Sequence, residues 1–217
     1  MRRIAILTII VAAIGFGLWQ TLWRAHVTRA QTPTVNSILE HYVNALGGRD
    51  AIQRMKTRIA KGTIEVTGVP AVGSAEAYAK APNKYATVIQ FPSMKQADTT
   101  IPGFETRRGF DGTSGWVSDP NGLRDVTGEE LSAMRRDSDF YDALTITQLY
   151  PKISLKGTEN VAMRPAYEID ADPGDGSLRR MYFDVESGLL VRNDEELDTP
   201  TGRESTLTYI EDYRDVA

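Results

Sequence analysis

The stretch that decides the fold is Arg107–Asp119, which reads RRGFDGTSGWVSD. Two short runs with strand character flank Asp111-Gly112, and this dipeptide tolerates the positive φ angles of a tight hairpin. Phe110 precedes the turn and Trp116 follows it, and side chains of this size need a covered face. The stretch therefore predicts the central hairpin of a large antiparallel sheet.

Alternation of apolar and polar residues continues on both sides of this hairpin. Ser74–Ala81 has alanine at every second position, a pattern typical of a half-buried strand. An all-alanine face fills little volume, so either a helix packs very close to it or room is left for something else. From Tyr85 to Phe91 every second residue also shares a side. Further runs of this kind reach Tyr213, so nine or ten consecutive strands are predicted.

Three segments have helical signals. Thr34 caps an amphipathic helix that Gly47-Gly48 ends, and a shorter helix follows from about Asp50 to Met55. Thr127–Glu130 has the spacing of a capping box and predicts a third helix, roughly Gly128 to Ala143. The predicted class is α+β, mainly β: a large curved antiparallel sheet, or incomplete β-barrel, with two N-terminal helices and one central helix covering the concave face.

The first thirty residues predict export. Arg2 and Arg3 precede an apolar run from Ile4 to Trp19, and Thr28-Arg29-Ala30 offers a small-x-small cleavage site. Residues 1–30 are therefore a Sec-type signal peptide or, if the run extends through Trp23 to about 20 residues, an uncleaved anchor in the inner membrane. Both alternatives place residues 31–217, predicted as one β domain, in the periplasm or elsewhere outside the cytoplasm.

Composition excludes several functions. Residues 1–30 hold four Lys/Arg and no acid, so removing them from the 25 basic residues leaves 21 against 29 acidic ones, a net charge of −8. Such an acidic body does not favour nucleic acid. The chain has no cysteine and only two histidines, His26 and His41, which excludes disulfides, thiolate metal sites and a histidine-rich zinc site. No catalytic residue, metal or cofactor is predicted.

Two sets of aspartates, between Asp111 and Asp125 and between Asp170 and Asp175, occupy turn-rich segments. Neither has the twelve-residue pattern of a calcium loop. A pair of buried carboxylates serving a hydrolase stays open as an alternative, because the spacing of such a pair is spatial rather than sequential.

With these elements in order, the chain resembles the LolA/LolB-like lipoprotein-carrier superfamily of bacterial envelopes, and most of all its outer-membrane lipoprotein-sorting members. The resemblance implies an incomplete barrel closed by helices, whose apolar interior receives acyl chains of a lipoprotein or another lipid. Envelope-stress sensors belong to the same wider group. Family members usually continue into another strand after a motif like Glu211–Arg214, whereas this chain stops at Ala217. The likeness spans about Thr34 to Tyr213 and is carried by Ala45-Leu46-Gly47-Gly48, Tyr78-Ala79-Lys80-Ala81-Pro82-Asn83-Lys84, Gly109-Phe110-Asp111-Gly112 with Trp116, Leu149-Tyr150-Pro151, and Tyr182-Phe183-Asp184 with Gly188-Leu189-Leu190-Val191.

Together these observations predict a non-enzymatic, extracytoplasmic carrier with a hydrophobic cavity for lipid or lipoprotein acyl chains. The alternative is a membrane-anchored interaction or sensor module with an envelope protein as partner. Arg107 and Arg108 point to opposite faces of their strand, so one of them can offer a donor to a ligand carbonyl or head group. The residues predicted to line the ligand site are Tyr78, Tyr85, Ile89, Phe91, Phe104, Arg108, Phe110 and Trp116.

Overall fold

Strands dominate the structure, as the alternation predicts. The computed structural model describes residues 32–66, 71–96, 98–175, 177–199 and 202–214. In these ranges the strands form two larger antiparallel sheets and one small hairpin, and neither larger sheet is closed into a barrel. The predicted class, a mainly β fold with an incomplete barrel, is confirmed, although the sheet is divided into two. The predicted signal or anchor at residues 1–30 lies outside the described residues and stays a prediction.

The six-stranded sheet comes from the first half of the chain and has the order β1-β2-β3-β6-β7-β8. The small hairpin of β4 and β5 interrupts it between β3 and β6, and all paired strands run antiparallel. The bounds are β1 (Thr57–Glu65), β2 (Val72–Lys80), β3 (Lys84–Phe91), β4 (Met94–Gln96), β5 (Thr99–Ile101), β6 (Phe104–Phe110), β7 (Gly115–Asp119) and β8 (Gly122–Val126).

The five-stranded sheet follows as an uninterrupted meander in the order β13-β12-β11-β10-β9. Its register shifts once between β9 and β10 and once between β11 and β12. The bounds are β9 (Lys152–Val161), β10 (Arg164–Asp172), β11 (Leu178–Asp184), β12 (Leu190–Thr199) and β13 (Gly202–Tyr209).

Four helices lie in the described part of the chain: α1 (Val35–Ala45), α2 (Arg49–Arg54), α3 (Gly128–Asp137) and α4 (Asp142–Leu149). The prediction of one central helix is wrong, because α3 and α4 are separate. Between them the amide of Phe140 donates to the carbonyl oxygen of Pro82 at 2.9 Å, a partner outside the helix. A tertiary contact of this kind leaves no periodic signal in the sequence.

The two predicted helix caps have different outcomes. Thr34 caps α1 as predicted, since its Oγ1 accepts from the amide of Ser37 at 3.1 Å. Thr127 makes no side-chain cap bond, so the predicted capping box is wrong. The carboxylate of Glu130 accepts instead from both terminal nitrogens of Arg124, at 2.8 and 2.9 Å. The preceding strand thus supplies a charged partner that competes with the helix terminus.

The two larger sheets have separate apolar cores. α1 and α4 pack on the five-stranded sheet, where Ile169 and Phe183 are fully buried. α3 packs on the six-stranded sheet, where Met134 meets residues of β6, β7 and β8. Strands β1, β2 and β3 belong to neither of these cores, and that difference positions the candidate site.

Candidate functional site

The face of the six-stranded sheet that carries α3 is called here the inner face, and the opposite face the outer face. Phe110 and Val117 lie on the inner face because both pack against Met134. The register places Tyr85 opposite Phe110, and Ala79 opposite Tyr85. Side chains directly opposite in neighbouring strands share a face. The alternating alanines of β2 therefore lie on the inner face.

Small side chains leave the inner face uncovered over β1 and β2. A Cβ added to Gly62 would meet no heavy atom within 4 Å, and Gly62 is exposed. The alanines of β2 opposite this part of β1 are only half-buried. The room that the sequence left open is thus not filled by a close-packed helix at this position. The inner alanine face consists of Ala60, Gly62, Ala75, Ala77, Thr87 and Ile89.

Aromatic side chains bound this surface along the strands. At one end Phe91 is buried and stacks on Phe104, with ring centroids 4.9 Å apart. At the other end the guanidinium of Arg58 lies 5.5 Å from the ring centroid of Phe140. An apolar surface about four residues long along each strand lies between these two contacts.

One cation reaches this surface from the neighbouring strand. Arg108 is paired in register with Thr87 on the inner face. Its Nη2 lies 3.9 Å from Oε1 of Glu130, while its Nε is buried without a hydrogen-bond partner. Burial raises the pKa of nearby Tyr85, the charge of Asp137 acts in the same direction, and Arg108 opposes both. Tyr85 is thus a neutral donor, and Arg108 has donor capacity left for a ligand.

The structure separates the eight predicted lining residues into two groups. Tyr78 and Trp116 lie on the outer face, because Tyr78 pairs with Ala86 and Trp116 with Gly109. Phe110 is on the inner face but is fully packed in the core beneath α3. A ligand contact by any of the eight remains a prediction. The six that share the inner face are Tyr85, Ile89, Phe91, Phe104, Arg108 and Phe110.

The hairpin loop explains why Phe110 and Trp116 are apart. Phe110 pairs with Gly115, so four residues form the loop instead of the predicted tight turn. Asp111 closes it, since its Oδ1 accepts from the amides of Thr113 and Ser114 at 2.8 and 2.9 Å. These bonds lower the pKa of Asp111. Because the loop has an even number of residues, Trp116 falls opposite Gly109 and faces away from Phe110.

Three surface depressions lie away from the inner alanine face. Two adjoin each other on the helical surface, share Arg49 and Leu144, and have volumes of about 400 and 440 Å³. The third has a volume of about 480 Å³ and lies at the edge strands, around Ile59 and Tyr78. Three of the predicted lining residues, Tyr78, Tyr85 and Phe110, border the third depression. No residue of the inner alanine face borders any of the three, so a ligand on that face would bind to an open surface.

Sequence reasoning left the small residues out of the predicted site. Ala75 and Ala77 were visible in the alternation, but the prediction selected large apolar residues beside them. The sequence did not indicate which face Gly62 lies on, because only its pairing with Ala75 shows this. The register of β1 on β2 was the missing information.

The described residues offer little for other chemistry. They contain no group of three or more His, Cys, Asp or Glu side chains that could hold a metal ion. His41 is exposed, and its ring packs so closely on Gly188 that an added Cβ would meet it at 2.7 Å. Among the same residues, no helix has the length and hydrophobicity needed to cross a membrane.

No family model matches the sequence, and no curated protein matches it. Solved structures do match. A DUF1329 family protein from Desulfovibrio piger is 18% identical, with a TM-score of 0.42 over 82% of this chain and 87% of its own. An outer membrane lipoprotein-sorting protein domain from Vibrio parahaemolyticus is 10% identical, with a TM-score of 0.36 over 80% and 92%. A LolA superfamily protein from Nitrosomonas europaea is 15% identical, with a TM-score of 0.31 over 86% and 96%.

These likenesses concern the course of the chain, and at such TM-scores they give no information about a ligand. A LolA superfamily protein and a lipoprotein-sorting domain are thus among the solved structures to which this chain is similar, as the resemblance in sequence predicted.

Proposed function

We propose that this chain is a non-enzymatic, extracytoplasmic binding protein that takes an acyl chain of a lipid or lipoprotein on its inner alanine face. The observation that carries the proposal is the open space above Gly62, beside half-buried alanines. Covering exposed apolar surface with a hydrocarbon chain is favourable, because it removes both from water. The apolar run that follows Arg2 and Arg3 supports export.

Arg108 adds a polar end to the proposed site. An acyl chain in a lipid ends at an ester, amide or carboxylate oxygen, and each accepts hydrogen bonds. The unpaired Nε of Arg108 lies on the same face as the alanines, one strand beyond Thr87. We expect the acyl chain to lie across β1 and β2, with its carbonyl end toward β6.

Uptake of a fluorescent fatty acid by the full chain tests the proposal. Ala77→Leu fills the inner alanine face, whereas Ala86→Leu adds the same atoms to a half-buried alanine on the outer face of the next strand. Displacing three or four methylene groups of the ligand costs about 3 kcal/mol, or roughly a hundredfold in affinity. We expect this loss for Ala77→Leu and little change for Ala86→Leu. The matched variant also accounts for fatty acid held by the apolar N-terminal segment, which both variants share.

Absence of saturable uptake, or equal effects of the two leucines, would remove the proposal. Arg108→Gln with Arg107→Gln as control then tests the polar end. Arg107 lies on the outer face, where it pairs with Glu105. Only Arg108→Gln is expected to weaken binding of a fatty acid, and neither variant should change binding of a hydrocarbon that has no carboxylate.

A further inference from the structure

A row of apolar side chains crosses the outer face of the six-stranded sheet. The register aligns Ile59 of β1 with Tyr78 of β2 and Ala86 of β3, and beyond them Gly109 of β6 with Trp116 of β7. The exposed fractions are 62% for Ile59, 39% for Tyr78 and 36% for Trp116. Large apolar residues exposed together mark an interaction surface more often than single ones do. We call these five residues the outer row.

Both aromatic rings of the outer row are held in place from within the sheet. Trp116 packs on Gly109, where an added Cβ would meet atoms of the indole ring at 2.8 Å. The hydroxyl of Tyr78 donates to the carboxylate of Glu76, which also accepts from Lys61 at 2.7 Å. The rings therefore present fixed apolar surfaces, and ordering them on binding has little entropic cost.

Two lysines border the outer row on one side. Lys80 follows Tyr78 by two residues, and Lys84 precedes Ala86 by two, so both share the outer face with the row. Together with Ile59 and Tyr78 they line the depression of about 480 Å³. In the described part of the chain no carboxylate lies within 4.0 Å of either ammonium group. The charge of Lys84 acts on Asp111 only at longer range.

We infer that the outer row and its two lysines form a docking surface for a lipid bilayer that contains anionic headgroups. Tyrosine and tryptophan suit the boundary of a bilayer because one part of the ring is apolar and another is polar. Lysine stems lie along apolar surface while their ammonium groups reach phosphate. The complementarity is local to the two lysines, since the body as a whole carries a net charge of −8. On the same face Glu76 is paired with Lys61. Asp125 lies opposite Trp116, at the far end of the row from β1. The hydroxyl of Tyr78 is already bound to Glu76, so the exposed part of this ring is mainly apolar and suits a hydrocarbon surface.

The position of β1 connects this surface to the inner face. β1 is an edge strand of the six-stranded sheet, and all its residues except the half-buried Ile64 are exposed. A bilayer in contact with Ile59 on the outer face would therefore be separated from Gly62 on the inner face only by the free edge of β1. The inference itself does not require a lipid on the inner face, because every residue it uses lies on the outer face.

Trp116 provides the test. The chain has three tryptophans, and replacing Trp19 and Trp23 by phenylalanine leaves Trp116 as the sole fluorophore in the full chain. The apolar N-terminal segment can hold the chain on vesicles, so vesicle binding alone decides nothing. Quenching by bromine atoms on the acyl chains is short-ranged and reports whether Trp116 itself enters the bilayer. We expect quenching and a blue shift with vesicles of equal parts phosphatidylcholine and phosphatidylglycerol.

Charge variants identify the surface. Lys80→Gln with Lys84→Gln should shift the equilibrium away from the docked state by roughly thirtyfold, since each basic residue near an anionic surface contributes about a factor of five. Lys152→Gln with Lys156→Gln removes the same charge from the five-stranded sheet and should change nothing. Vesicles of phosphatidylcholine alone should quench Trp116 less.

Three results would overturn the inference. Trp116 could stay unquenched while the chain floats with the vesicles, both pairs of lysine variants could reduce quenching equally, or Trp116 could shift only when a soluble protein is added. Ala77→Leu, which fills the inner alanine face, should leave the quenching unchanged. A failure of fatty-acid uptake and a failure of docking are therefore distinguishable.

Discussion

Replacing Arg179 by methionine should disconnect α3 from the five-stranded sheet. The Nη2 of Arg179 lies 2.5 Å from Oδ1 of Asp137, the last residue of α3, and 2.7 Å from Oε1 of Glu195 on β12. Its guanidinium carbon lies 5.7 Å from the ring centroid of Tyr150, which follows α4. One side chain on β11 thus joins two helices and a neighbouring strand.

The magnitude follows from how far this network is buried. Burial by itself would lower the pKa of Arg179, but the charges of Asp137 and Glu195 raise it well above its ordinary value. The exposed fractions are 16% for Arg179, 31% for Asp137 and 23% for Glu195. Breaking a fully buried pair costs 3–5 kcal/mol and an exposed one less than 1 kcal/mol. Between these limits we expect Arg179→Met to lower the free energy of unfolding by about 2–3 kcal/mol.

Urea unfolding of the full chain, followed by circular dichroism, measures this cost. Arg180→Met is the matched control, because Arg180 is the next residue, faces the other side of the sheet and is 42% exposed. It should cost less than about 0.5 kcal/mol. A triple variant that adds Asp137→Leu and Glu195→Met should recover most of the loss, since no carboxylate is then left without its cation. Equal costs for Arg179→Met and Arg180→Met would refute the reasoning.

Single substitutions at five positions give three further predictions. Burial raises the pKa of Asp142, so Asp142→Asn should gain stability relative to the parent as the pH rises from the ordinary aspartate range toward the raised pKa. At Asp184 hydrogen-bond donors outweigh burial and lower the pKa, so Asp184→Asn should be less stable than the parent above the ordinary aspartate range, and this difference should vanish as the pH falls through the lowered pKa. Urea midpoints measured against pH test both. Thr34→Ala should cost about 1 kcal/mol and Thr127→Ala almost nothing by urea unfolding, because only the first side chain caps its helix. Gly109→Ala should push the overlying indole ring into water, a change that a red shift of its emission would report in a variant without the other tryptophans.

Properties with a short sequence period were predictable. Alternation gave a strand over Ser74–Ala81, and the structure has β2 at Val72–Lys80. The same alternation predicted that the alanines and Tyr78 lie on opposite faces of β2, and the pairing of β2 with β3 shows this arrangement. Hydrophobic periodicity and hairpin chemistry act within a few residues, so one sequence is enough to reveal them.

Pairing between strands was not predictable in the same way. Tyr78 and Tyr85 were both assigned to one site from their places on the predicted sheet, without the register between their strands. Only the register, in which Tyr85 pairs with Ala79, shows that Tyr85 shares the face of the alanines and Tyr78 does not. A shift of one residue moves every side chain of a strand to the other face. The identity of the inner face therefore depended on long-range information.

Competition between partners limited the prediction at α3. Thr127 and Glu130 have the spacing of a capping box, but Glu130 is bound by Arg124 of β8. A bidentate bond between a guanidinium and a carboxylate is stronger than a single bond from a neutral amide. The local motif was present, and a charged neighbour from the adjacent strand determined its outcome.

The distribution of helical cover favours binding as the task of the inner alanine face. α1 and α4 cover large side chains on the five-stranded sheet, and α3 does so over β6, β7 and β8. In the middle of β1 and β2 the inward residues are Ala60, Gly62, Ala75 and Ala77, which forgo the roughly 1.5–3 kcal/mol that each buried Val or Leu could contribute. Lack of space next to the backbone is not the reason, because a Cβ added to Gly62 would meet no heavy atom within 4 Å. Giving up stabilisation that the available space permits is a common cost of a binding site, since the missing contacts are then supplied by the ligand.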